Sequence, residues 1–141
     1  MFDDVHLTPE DGRAVAVFTA EANVRGALAD ALSFQVQRRF QTDVLETEKV
    51  LQLRIAGALA DRLDEFRGVE GRAEVRLNAD HVRLIIEAVM GYRSERDVDS
   101  YQSPEERDRL TLMGELIDPL FDLLADIDRA DEVFSAQSYG H

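Results

Sequence analysis

The chain contains no cysteine, no tryptophan and only three histidines, and these absences exclude several classes of site. Without cysteine there is no disulfide framework, no thiol nucleophile and no thiolate metal site. The histidines, His6, His81 and His141, show no Glu-x-x-His or His-x-x-x-His spacing, so the usual carboxylate-bridged metal bundles and zinc proteases are excluded. We therefore expect no metal site and no cofactor.

Long apolar runs and glycine-rich motifs are also missing. No apolar run approaches the ~18 residues of a membrane span, and the start MFDDVHL lacks the basic and apolar regions of an export signal. The eight glycines are scattered, so no phosphate-cradling loop is visible. We therefore expect a cytoplasmic chain without a catalytic or cofactor-binding motif.

Positive charge is scarce, and this bears on the partners. The 141 residues carry 29 acidic and 16 basic side chains, a net charge of -13, and Lys49 is the only lysine. Nucleic-acid phosphates and anionic bilayers would repel such a chain as a whole. We therefore expect neither nucleic acid nor membrane as a partner, and consider a protein with a basic surface instead.

Apolar content is sufficient for a packed core. At 45% apolar residues, the composition is ordinary for a globular protein. No linker, repeat or low-complexity tract divides the chain. We therefore predict one domain spanning residues 1–141.

The strongest structural signal is a helix that begins at Ser103. Ser103 can cap this helix, and Pro104 suits its first position. Apolar residues then recur at three- and four-residue steps: Met113, Leu116, Ile117, Leu120, Phe121, Leu124 and Ile127. This sector spans about 180°, whereas a surface helix needs only about 100°. The helix should therefore pack against two neighbours or more.

Two features complicate this helix. Pro119 either kinks it or begins a fresh helix capped by Asp118, and the unbroken apolar phase favours the kink. After Ile127 the phase fails, because Asp128 and Asp131 would fall on the apolar face. We therefore predict that the helix ends near Arg129 and that residues 131–141 form a mobile tail.

The first twenty residues allow two interpretations. Pro9-Glu10-Asp11-Gly12 suits either a tight turn or a helix start. A helix continuing from Pro9 would place Glu21 in the middle of an apolar face. This favours a short hairpin within residues 1–20, with strands at 5–7 and 14–18.

The middle of the chain predicts three helices and a strand. One helix spans Ala20 to Phe40, and a second runs from Asp43 to about Arg67. Alternation between Arg72 and Asn78 predicts a half-buried strand, and Asn78 then caps a helix that fades near Arg93. The fold class is therefore mainly α, a bundle of about four helices with one or two short β-strands.

Two polar residues disturb the apolar face of the second helix. Glu48 and Arg62 lie near that face. They either face a partner or lie along the edge of the face with their stems buried.

The candidate site is a row of carboxylates opposite the apolar face of the last helix. Its members are Glu115, Asp118, Asp122 and Asp126. Like charges at three- and four-residue spacing destabilise a helix by a few tenths of a kcal/mol per pair. The row is either a solvated face of an acidic protein or a docking stripe for a basic partner. Divalent-cation binding is the least favoured alternative, because a straight row of acids makes a poor cage.

A second charge pattern suggests an internal contact. Five arginines lie close together in sequence: Arg62, Arg67, Arg72, Arg76 and Arg83. The stretch from Glu115 to Glu132 holds seven acids against one arginine. We hypothesise that the two regions face each other, within a subunit or across a dimer.

Three functions follow from these observations. The first is a small acidic protein-interaction module, such as an adaptor, a regulator or a chaperone-like subunit. The second is a structural homo-oligomer, most simply a dimer, in which the wide apolar sector of the last helix continues into a subunit interface. The third is an enzyme or small-ligand binder with a site assembled from distant residues, which a deep pocket containing His81 beside carboxylates or arginines would support.

Overall fold

The structure, a computed structural model, describes residues 2–42, 47–64, 71–96 and 103–139. Within these ranges, seven elements follow one another: β1 (Asp3–Glu10), β2 (Arg13–Glu21), α1 (Ala22–Thr42), α2 (Thr47–Asp64), β3 (Arg72–Leu77), α3 (Ala79–Arg96) and α4 (Pro104–Tyr139). None of the helices in these ranges is long and apolar enough to cross a membrane.

The first two strands form a hairpin closed by Asp11 and Gly12. Both residues have positive φ, 53° and 79° respectively. An Asp-Gly pair suits the two-residue hairpin turn that requires positive φ at both positions. The helix considered for this stretch is therefore wrong, and Glu21 ends β2 rather than lying on a helix.

β2 is the central strand of an antiparallel sheet with the order β1-β2-β3. Its residues from Ala14 to Phe18 are all buried, so both of its faces are covered. β3 pairs with the edge of β2 that β1 leaves open, with Leu77 opposite Ala16.

The predicted fold class, a bundle of about four helices with one or two short strands, is therefore wrong in its strand content. The chain is mainly α but carries a three-stranded sheet. The physical reason is the environment of β2. A strand buried on both faces needs a hydrogen-bonding partner on each edge, so the hairpin and the later strand form one sheet. β1 and β2 are also longer than expected, at eight and nine residues.

One face of the sheet packs on the helices, while arginine bridges cover the other. Ala14, Ala16 and Phe18 belong to the hydrophobic core with residues of α1, α3 and α4. On the opposite face, Arg76 of β3 reaches Glu10 of β1 at 3.3 Å. This bridge joins the two edge strands across the face of β2 that carries Val15 and Val17.

A buried arginine joins the end of β2 to the start of β3. Arg25 of α1 is 2% exposed. Its Nε donates to the carbonyl of Ala20 at 3.2 Å, and its Nη2 donates to the carbonyl of Gly71 at 3.0 Å. A buried guanidinium needs such partners, because an unpaired one would be costly.

α4 packs against α3, α1 and both strands of the hairpin, as its wide apolar sector predicts. The helix continues through Pro119 without interruption, so the alternative of a fresh helix at Asp118 is wrong. Leu116, Leu120 and Ile127 are fully buried within the chain.

The predicted end of α4 near Arg129 is also wrong, because the helix continues to Tyr139. The two acids that break the apolar phase have specific partners. Asp128 pairs with Arg83 of α3 at 2.9 Å, and Asp131 Oδ1 accepts the backbone N–H of Ala14 at 2.5 Å. The residues predicted as a mobile tail, 131–141, thus begin with a side chain that binds the sheet.

Candidate functional site

The predicted row of carboxylates forms one exposed surface on α4, here called the acidic face: Glu115, Asp118, Asp122 and Asp126. Asp126 forms an ion pair with Arg129 at 2.7 Å. Glu115, Asp118 and Asp122 have no ion pair within the described ranges. Three adjacent carboxylates of the row are therefore left without a neutralising partner in that part of the chain.

Carboxylates elsewhere in the described chain are commonly paired with arginine. Paired acids on other surfaces are Asp3, Glu10, Asp30, Glu74, Asp80, Glu95, Glu106 and Asp128. Acids without an ion pair among the described residues also occur elsewhere, such as Asp4, Glu21 and Asp61. The acidic face differs in that three such acids follow one another at three- and four-residue steps on one helix.

An exposed aromatic ring borders the acidic face. Phe121 lies next to Asp122 in sequence and is 48% exposed. The periodicity predicted Phe121 for the buried sector, but it lies at the edge of that sector. The surface therefore combines negative charge with one apolar side chain that the fold does not bury.

The arginine cluster was hypothesised to face the acids of α4. Among the described residues, one ion pair joins the two regions. Arg83 contacts Asp128. Arg72 instead contacts Asp3, and Arg76 contacts Glu10 and Glu74. Arg67 lies outside the described residues.

A second candidate site, here called the cleft, lies where the hairpin turn, β3, the end of α2 and the start of α3 meet. Its volume is about 740 Å³, which is in the range of small-molecule sites. Buried apolar residues form part of its lining: Val15, Leu59, Leu63 and Val75. Polar residues complete it: Glu10, Asp11, Arg13, Arg62, Glu74, Arg76, Asn78 and His81.

His81 lines the cleft and also holds the start of α3. The backbone N–H of His81 donates to Asn78 Oδ1 at 2.9 Å, and the backbone N–H of Asn78 donates to His81 Nδ1 at 3.1 Å. This reciprocal pair is a capping box with histidine in place of the usual glutamate or glutamine. Because Nδ1 accepts a hydrogen bond, the neutral ring carries its proton on Nε2.

The surroundings of His81 favour this neutral form. Burial lowers the pKa of His81 below 6.5, and the positive charges of Arg62 and Arg13 lower it further, while Asp80 raises it. Protonation would also place a hydrogen on Nδ1 and break the bond from Asn78. His81 is therefore a neutral donor at Nε2 near physiological pH.

The three arginines of the cleft differ in their partners. Arg13 pairs with Asp80 at 3.2 Å, and Arg76 pairs with Glu10. Arg62 Nη2 donates to the backbone carbonyl of Arg76 at 3.0 Å. Among the described residues no carboxylate pairs with Arg62, so its positive charge is not neutralised there.

No group of three or more histidine, cysteine or acidic side chains within the described ranges is arranged to hold a metal ion. The cleft instead combines polar side chains with buried apolar side chains.

Sequence reasoning did not locate the cleft, because residues 10–15 of the hairpin combine with residues 59–81, more than forty positions away, to form it. One signal was present. Arg62 disturbs the apolar face of α2, and the structure places it at the wall of the cleft. The side chain of Glu48, the other disturbing residue, lies outside the described residues.

Comparisons with protein-family models, curated proteins and solved structures find no significant match to this chain.

Proposed function

We propose that this chain is a small acidic protein-interaction module that binds a partner with a basic surface through the acidic face. The observation that carries the proposal is the exposed row of Glu115, Asp118 and Asp122, whose charge no described arginine neutralises. The proposal assigns no catalytic step to the chain, and it places the module in the cytoplasm, where a domain without disulfides is ordinary.

The energetics of α4 support this function. Asp122 lies four residues from both Asp118 and Asp126, and each such pair of like charges costs about 0.2–0.5 kcal/mol in a helix. The positive charges of a basic partner would attract these carboxylates and offset their mutual repulsion, and they would also steer association. The row therefore suits a complex better than it suits the isolated chain.

Phe121 adds an exposed apolar contact to the acidic face. Aromatic side chains are frequent anchors at the centre of interfaces, surrounded by polar rims. Phe121 is about half exposed and is bordered by carboxylates. The expected partner surface therefore combines lysines or arginines with a shallow apolar pocket.

The test is affinity capture from native lysate, followed by reconstitution with the purified partner. The bait is compared with a variant in which three carboxylates become amides: Asp118→Asn, Asp122→Asn and Asp126→Asn. A stoichiometric basic partner should bind the native chain, weaken as salt rises, and be lost in the variant.

A matched variant controls for net charge. It carries the same three-charge change at exposed positions away from α4: Asp4→Asn, Glu21→Gln and Asp61→Asn. This control should retain the partner. Equal loss in both variants, or a bait that captures only further copies of itself in every form, would contradict the proposal. The latter outcome would favour a homo-oligomer.

A further inference from the structure

The cleft contains two hydrogen-bond donors that the described fold leaves available. The first is the guanidinium of Arg62, which uses Nη2 for the Arg76 carbonyl and retains its other N–H groups. The second is Nε2–H of His81, whose other nitrogen is occupied by Asn78. Both residues line the same cavity.

These donors belong to the walls of one cavity. The positive charge of Arg62 also lowers the pKa of His81, as expected for a cation beside the imidazole in the same cavity. The bond to the Arg76 carbonyl fixes Arg62, and the capping box fixes His81. Positioned donors of this kind lose little conformational entropy when a ligand binds.

We propose that the cleft binds a ligand that presents a carboxylate joined to an apolar group, with the carboxylate received by Arg62 and His81 Nε2–H. A guanidinium matches the planar geometry of a carboxylate. The apolar part would lie on the floor formed by Val15, Leu59 and Leu63.

Charge in the rest of the lining favours a monoanion. Three acids, Glu10, Asp11 and Glu74, share the lining with three arginines, and the whole chain is strongly acidic. A phosphate carries more negative charge than a carboxylate and would meet more repulsion. A neutral imidazole donor also suits a single negative charge.

The carboxylate could belong to a free organic acid or to the C-terminus of a peptide. Hexanoate represents the first source, and an acetylated tripeptide ending in leucine represents the second. Each acid is titrated against its matched amide into ¹⁵N-labelled protein, and the shifted amide signals are mapped. Tighter binding of the peptide would identify a C-terminus as the source, whereas equal or tighter binding of hexanoate would identify a free acid.

Both acids should shift the amide signals of Val75, Asn78 and His81, and the amides should bind at least tenfold more weakly. A hydrogen bond to a charged group changes affinity by about 10- to 100-fold. Arg62→Gln should therefore raise Kd by about tenfold or more. Arg54→Gln makes the same charge change at an exposed position of α2 outside the cleft and should leave Kd within about twofold.

A second variant should keep the fold but weaken binding of the ligand's carboxylate. His81→Glu completes the usual capping box with Asn78, so α3 should keep its start, while the new carboxylate repels an anion in the cleft. Intact unfolding behaviour with lost binding is the expected result. The proposal would be overturned if neither acid bound, or if the shifts were confined to the exposed Leu51 and Ile55. It would also be overturned if the amides bound as well as the acids, or if Arg62→Gln and Arg54→Gln had equal Kd values.

Discussion

At the scale of single residues, His81 couples the start of α3 to the protonation of one ring. Its Nδ1 accepts the N–H of Asn78 at 3.1 Å, and this bond exists only while Nδ1 has no proton. A histidine is a rare choice at this position, where glutamate or glutamine is usual. The helix start is therefore sensitive to pH in a way that the usual capping box is not.

We predict that His81 makes the stability of the protein fall as the pH drops below 6.5. The pKa of His81 in the folded state is lowered from 6.5, first by burial and then by Arg62. Below pH 6.5 the unfolded chain therefore binds more protons than the folded one, and acidification favours unfolding. The stabilisation from a neutral His81 is fully present above pH 6.5 and is lost as the pH falls towards the folded pKa.

Urea unfolding across this pH range, with His81→Gln as the comparison, measures the effect. Glutamine keeps the capping box but has no group that takes up a proton in this pH range. Its free energy of unfolding should therefore depend less steeply on pH than that of the native chain. Parallel pH profiles would show that His81 does not contribute.

At the scale of elements, α4 shows how tertiary contacts extend a helix beyond its apolar pattern. β3 ends opposite Ala16, so Ala14 lies beyond the last paired residue on that edge of β2. Asp131 of α4 accepts the N–H of Ala14. A carboxylate thus replaces a strand carbonyl, and the helix must continue past Arg129 to deliver it.

We predict that Asp131→Ala lowers the free energy of unfolding by about 1–3 kcal/mol, the cost of an unsatisfied buried donor. Ala14 is fully buried, so water cannot easily replace the lost acceptor. The amide of Ala14 should also exchange faster with solvent.

Two substitutions separate this contact from general effects on α4. Asp131→Asn keeps an oxygen acceptor and should recover most of the stability. Glu132→Ala changes the exposed neighbouring residue and should be nearly neutral. If both alanine variants had equal stability, the bond to Ala14 would not hold the end of α4.

At the scale of the whole molecule, two electrostatic effects oppose each other. The net charge of -13 produces general repulsion in the folded state. Arginine–carboxylate pairs such as Arg13–Asp80 and Arg83–Asp128 offset part of it. These pairs are about half exposed, and exposed pairs typically contribute only about 0–1 kcal/mol each.

We predict that general repulsion is the larger effect, so that added salt raises Tm. The rise in Tm should occur mainly as the ionic strength increases to about 0.15 M, because the screening length shrinks to about 8 Å over that range. Thermal unfolding in a sodium chloride series measures it. The acidic-face triple variant should show a smaller rise, because part of the repulsion is already removed. A Tm that falls with salt would mean that the ion pairs dominate.

Helical periodicity in the sequence was sufficient to locate the apolar sectors of the helices. It placed Leu116, Leu120 and Ile127 on the buried face of α4, where the structure has them. The predicted end of α4 failed because a local pattern cannot show that Asp131 has a partner 117 residues away.

Sheet content and the cleft depend on the same kind of distant contact. The strand at Arg72–Leu77 was recognised from alternation, but its pairing with β2 joins residues more than fifty positions apart, such as Ala16 and Leu77. The cleft likewise brings Arg13 and Val15 of the hairpin to Arg62 and His81. The exposed acidic face, by contrast, lies on a single helix, so its spacing alone was enough to identify it as a candidate.

The position of β2 at the centre of the sheet has a consequence for synthesis on the ribosome. The hairpin emerges well before β3 and Asp131 of α4, which complete the bonds of β2. Until α4 leaves the exit tunnel, the nascent hairpin displays apolar strand surface of the kind that chaperones bind and that promotes aggregation. We therefore expect β2 to gain its full set of hydrogen bonds only after α4 has been synthesised as far as Asp131.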